Sequence, residues 1–141
     1  MEYKKFKDSI IARIDPGEEI LASIREIALK EEIKLASVSG LGAVNSFTVG
    51  VFKTAEKEYK ANEFNGYYEI VSLTGTINTM KDEFYCHLHM SAGGEDGNVV
   101  GGHLNRAVVS ATCELVIRII DGRVDRSFSE KVGLNLFDFH R

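Results

Sequence analysis

Apolar and polar residues alternate along much of the chain. Over residues 107–119, Val109, Ala111, Cys113, Leu115, Ile117 and Ile119 fall on one side. Ser110, Thr112, Glu114 and Arg118 fall on the other, together with Val116. A period of two predicts a strand with one face in a core. Residues 85–91 alternate in the same way, with Cys86, Leu88 and Met90 opposite His87 and His89. Shorter apolar patterns predict further strands over 5–14, 35–39, 47–51, 69–77 (interrupted by Gly75) and 124–136. Residues 53–65 are charged and weakly patterned, and read as an exposed excursion.

One segment has a helical period. Ile20, Leu21, Ile24, Ile27 and Ala28 recur at three- and four-residue spacing, which places them on one stripe of a helix. Asp15-Pro16-Gly17-Glu18 stands before it. Asp15 is expected as the N-cap, Pro16 as the first helical residue and Glu18 as the third-position carboxylate. The helix is expected to end near Glu31. In Gly40-Leu41-Gly42 the third glycine of a dinucleotide-binding fingerprint is replaced by Asn45, and a strand follows. These glycines are expected where the sheet bends or bulges.

The pattern as a whole predicts a single α+β domain over residues 1–141. About seven antiparallel strands would form a curled, barrel-like sheet, with one long helix over an opening. Val71 and Leu73 on one side of their strand and Ile70 on the other leave an extra apolar face that needs a partner surface.

Composition narrows the function classes. The chain has 141 residues, enough for one sizeable core. Its 21 acidic and 17 basic residues give a net charge of -4, which argues against a broad basic face for DNA. Binding to DNA is expected to be weak and non-specific. No apolar run is long enough to span a bilayer, and residues 1–8 lack the apolar segment of a signal peptide. A cytoplasmic protein is expected, with Cys86 and Cys113 as buried, reduced thiols.

The chemistry gathers in residues 85–105, which hold three of the four histidines. His87 and His89 point the same way from a strand. Asp96-Gly97 is a strong turn pair. A strand returning through Gly101-Gly102 would bring His103 back to their level, and the glycine pair would let backbone or a ligand approach closely. Three neutral imidazoles suit zinc with one open coordination position, and also suit nickel, copper or iron. Glu114 is a candidate hydrogen-bond partner for a ligating imidazole. Glu114 and Glu95 are the candidate general bases, and no catalytic residue is assigned.

Several motifs recur in a set order: Asp15-Pro16-Gly17-Glu18, Ser39-Gly40-Leu41-Gly42-Ala43, residues 69–75, His87-Leu88-His89, Gly101-Gly102-His103-Leu104 and Glu114-Leu115-Val116-Ile117. Together they resemble the PPC (plants and prokaryotes conserved) domain family over nearly the whole chain. The resemblance implies antiparallel strands around one long helix, assembled as a homotrimer. It also implies a metal site at His87, His89 and His103, with no counterpart for His140. Plant members follow AT-hook segments that grip DNA, and this sequence has no such hook. Two functions follow from the resemblance. One is a trimeric metal-binding protein, with a hydrolase or lyase acting on a small polar molecule as its enzymatic form. The other is a non-enzymatic module that assembles as a trimer and binds DNA or a partner protein.

Overall fold

The computed structural model describes residues 1–140. Among the described residues, eight strands form two antiparallel sheets, and there is one short helix. In chain order these are β1 (Glu2–Phe6), β2 (Ser9–Ile14), α1 (Ile20–Lys30), β3 (Ala36–Lys53), β4 (Glu58–Met80), β5 (Glu83–Gly93), β6 (Val99–Ile119), β7 (Asp125–Ser129) and β8 (Leu134–Asp138). The main sheet has the order β1-β2-β6-β3-β4-β5, and β5 pairs with β6 as well. Hairpin β7–β8 is the second sheet. The expected seven strands, barrel-like sheet and long helix therefore become eight strands in two sheets and an eleven-residue helix.

Two expected strands turn into hairpins, and the two expected over 35–39 and 47–51 run on as one strand, β3. The strand expected over 5–14 is a hairpin, broken at Lys7, whose φ is +50°. The last expected strand is likewise a hairpin, turning through Gly133 at φ +85°. The charged excursion at 53–65 is the tip of a long β3–β4 hairpin, with Lys53 paired to Glu58. A charged strand pair with little apolar content gives no burial pattern to read.

The helix starts later than its sequence signals. Glu19, not Asp15, is the N-cap, and its carboxylate accepts from the Ala22 amide at 2.7 Å. Asp15 and Glu18 instead shape the turn before it: Glu18 Oε2 accepts from the Asp15 amide at 2.8 Å. This turn is tied to β6, because Gly17 N donates to Val109 O and Val109 N donates to Glu18 O. Pairing with a neighbouring strand takes up the amides that an earlier helix start would have used. The buried stripe is Ile20, Ser23, Ile24, Ile27 and Ala28, with Leu21 only partly buried. It packs on β6 and β5.

The core is one cluster of mostly aliphatic side chains from α1 and the main sheet. On β6, Val109, Cys113, Leu115 and Ile117 are buried as the alternation predicts, but Ala111 is exposed. The register explains it. Gly42 pairs Cys113 and Val44 pairs Val109, so β6 has two more residues than β3 between these pairs. Bulged residues switch faces. Gly42 allows the close approach: a Cβ there would lie 2.2 Å from Thr112 O. A second irregularity, between Ile70 and Ser72 in β4, buries both Ile70 and Leu73 and leaves Val71 62% exposed. The expected sharing of a face by Val71 and Leu73 is thereby corrected.

Candidate metal centre

The histidine strand is β5, and its partner on the return is β6. The hairpin tip lies at Gly94–Asn98, where Gly97 (φ +79°) occupies the left-handed region and Asp96 Oδ1 accepts from the Asn98 amide at 3.0 Å. This turn fixes the register: Gly93 pairs Val99, Met90 pairs Gly102, and His89 pairs His103. His87 lies two residues further along the same face of β5. The three ring centroids are 5.0, 5.2 and 5.7 Å apart. Their ligand nitrogens all lie within 4.8 Å of one another.

The glycine pair serves backbone packing. A Cβ on Gly101 would lie 2.7 Å from Met90 O, and one on Gly102 would lie 2.4 Å from Gly50 O. β6 is squeezed at this point between β5 and β3, and His103 pairs both His89 and Gly50. The glycines admit two neighbouring strands, and this is what holds His103 level with His89.

The imidazoles are set up as neutral donors. Partial burial lowers the pKa of His87 to about 4, and the nearby His103, Arg126 and His89 push the same way. Burial also lowers His103, with His89 adding to it. Desolvation disfavours the protonated ring, and so does each neighbouring imidazolium. A neutral ring keeps a lone pair free for coordination. Zinc bonds of about 2.0–2.1 Å to imidazole in tetrahedral geometry put ligand nitrogens roughly 3.4 Å apart. The observed spread is within reach of that through small side-chain rotations, so the donor set fits a borderline divalent metal.

Tyr59 adds to the site and lies in the stretch read from sequence as a mere excursion. Its ring stands edge-on to His103, with centroids 5.9 Å apart. Its hydroxyl donates to Asn105 Oδ1 and sits 3.3 Å from His103 O. Gly50 makes room for it: a Cβ there would lie 2.4 Å from the Tyr59 hydroxyl. An aromatic residue in a charged hairpin opposite a glycine was the available signal, but only the β3–β4 register brings it to His103.

The two glutamates lie elsewhere. Glu114 is eleven residues along β6 from His103, between Arg13 and Leu41, at a shallow depression lined also by Glu2 and Lys4. Among the described residues no hydrogen bond or ion pair links it to the imidazoles. Glu95 is exposed at the hairpin tip, six residues beyond His89. His140 is exposed near the end of the chain and is not part of the cluster. Cys113 is buried and Cys86 half-buried, and desolvation pushes both thiols up to about 12.

Solved structures share this architecture. A protein of Bacteroides thetaiotaomicron, named for a proposed DNA-binding role, is 31% identical, with 99% of this chain and 98% of that one covered at a TM-score of 0.96. A metal-containing protein of Archaeoglobus fulgidus is 34% identical, with 96% of each chain covered and a TM-score of 0.87. A plant- and prokaryote-conserved (PPC) protein of Pyrococcus horikoshii is 29% identical, with 99% and 95% covered and a TM-score of 0.85. No curated protein matches the sequence. The pattern of the Plants and Prokaryotes Conserved (PCC) domain matches residues 1–121, and the chain belongs to that family.

Proposed function

We propose that the protein binds one divalent metal per chain, most suitably zinc, through His87, His89 and His103. The observation that carries this reading is the convergence of three imidazole donors within 4.8 Å, with no carboxylate among them to give a purely structural reason for the arrangement. The metal-containing Archaeoglobus fulgidus relative supports it. A metal held by three histidines keeps a position open for water or a small polar ligand, and lowers the pKa of bound water to about 7. The chain's own part is to hold the rings neutral and in register: β5–β6 pairing levels His89 with His103, Tyr59 braces the His103 ring and backbone, and partial burial removes water from His87.

The protein acts as a homotrimer in this reading. Leu41, Tyr67, Val71 and Val116 are exposed apolar residues on the long central strands, and such residues suit contact with other copies. The alternative is a module that acts by trimer assembly on DNA or a partner protein. The name of the Bacteroides thetaiotaomicron relative favours DNA, but a net charge of -4 leaves few phosphates to neutralise.

Elemental analysis after zinc supplementation tests the metal site. About one zinc per chain is expected in wild type and in His140→Ala, and near none in His89→Ala. Equal content in wild type and His89→Ala would return the three histidines to the status of ordinary surface residues. Light scattering on the same sample should give a trimer mass, and a monomer mass would remove that part. A sequence-selective nanomolar gel shift would favour the DNA reading instead.

A further inference from the structure

The face of β5 that carries His87 and His89 continues back to Tyr85, two residues before His87. Arg126 of β7 lies against Tyr85. Its guanidinium carbon is 4.8 Å from the Tyr85 ring centroid on one contact and 4.2 Å from that of Phe137 on another. Nε donates to Asn78 Oδ1 at 3.1 Å and Nη1 donates to Asn135 O at 2.8 Å. All of these partners are neutral.

Arg126 is only 5% exposed, yet no carboxylate pairs with it among the described residues. Its neighbour Asp125 faces Arg123 instead. A buried guanidinium ordinarily has an anion beside it. The hydrogen bonds of the guanidinium run from Nε and Nη1, and none runs from Nη2 among the described residues. In the β4–β5 register Asn78 pairs Tyr85 and Thr76 pairs His87, so the Arg126–Asn78 bond stands two residues along the same face from His87. Residues two apart on a strand are separated by roughly 7 Å, which is a short step from the Tyr85–Arg126 stack to the three imidazoles.

We propose that Arg126 is the anion-binding half of the histidine site, and that the site's ligand is a small dicarboxylate. One carboxylate takes the open coordination position beside His87, His89 and His103, and the other accepts from Nη2 of Arg126. This rests on the metal reading above and names the ligand class for it. Asn78, Asn135 and the two rings fix the guanidinium in advance, so little order is lost on binding. Arg126 lies past residue 121, outside the stretch matched by the family pattern.

The test is calorimetric titration of zinc-loaded protein with malonate, succinate and glutarate, alongside zinc content and thermal midpoint. At least one dicarboxylate should bind wild type. Arg126→Gln should weaken it on the order of tenfold or more while zinc content stays the same. Arg126→Lys keeps the charge but loses the planar fork, and should weaken it less. If Arg126→Gln does not fold, the lysine variant decides: affinity equal to wild type overturns the proposal. Zinc bound but no dicarboxylate binding in wild type overturns it, as does equal affinity in wild type and Arg126→Gln; in both cases the metal reading survives. Absence of zinc from wild type overturns both.

Discussion

The two ends of β6 are both polar, and they are built on opposite rules. Near its C-terminal end Glu114 stands beside Arg13, and Arg13 pairs with Asp15 at 2.7 Å and Glu2 at 3.2 Å. Burial there is slight and the charges are matched. Near the N-terminal end His103 stands among two further imidazoles, with no carboxylate in the cluster. Exposed ion pairs hold little free energy, because water screens them and long side chains lose entropy. Crowded, partly desolvated imidazoles hold lone pairs ready at a cost in the metal-free state. Matched charges mark a solvated surface, and unmatched donors mark a place that waits for a ligand.

The sharpest break in this comparison is the loss of a donor. His103→Ala should take zinc content from about one per chain to near zero, measured by elemental analysis. Arg13→Ala should leave it unchanged.

Next is the backbone that positions His103. Gly102→Ala places a Cβ 2.4 Å from Gly50 O at φ +156°. The strands must move apart, at a cost of about 1–3 kcal/mol, measured by urea unfolding, and zinc affinity should fall with it.

Acid should separate the two ends further. His87 titrates near 4 in the folded chain and near 6.5 when unfolded. Between these values the unfolded chain binds the extra proton, so stability rises with pH across this window. The metal-free protein should lose stability as pH falls from about 6.5 towards 4, and His87→Gln should remove part of that loss. Denaturant melts at pH 7 and pH 5 check it, and a slope unchanged by His87→Gln would contradict the assignment. Asp15, held low chiefly by its bond to Arg13, has the same sign but acts at lower pH, below its ordinary value.

The smallest effect belongs to the matched end. Arg13→Ala, measured by urea unfolding at neutral pH, should leave stability close to that of wild type, because exposed ion pairs are screened by water. A larger loss would mean that the Arg13 pairs hold the β1–β2 hairpin more firmly than exposed ion pairs do.

The sequence alone determined what depends on local period and turn chemistry. The alternations at 85–91 and 107–119 set β5 and most of β6, and the Asp96-Gly97 turn set the hairpin that levels His89 with His103. The helical stripe was legible because burial repeats every three to four residues. The family, too, could be read from ordered motifs, since each marks a backbone or side-chain need at a fixed place. The tertiary structure alone decided where local signals compete or are silent. Asp15 gave way to Glu19 as N-cap because β6 takes the Gly17 amide. Ala111 turned outward because β3 and β6 run out of step at Gly42. Tyr59 reached His103 from 44 residues away, and Arg126 reached Tyr85 from a separate hairpin. Such contacts depend on which strands become neighbours and in what register. That is settled by packing the whole sheet, and no single segment carries the information.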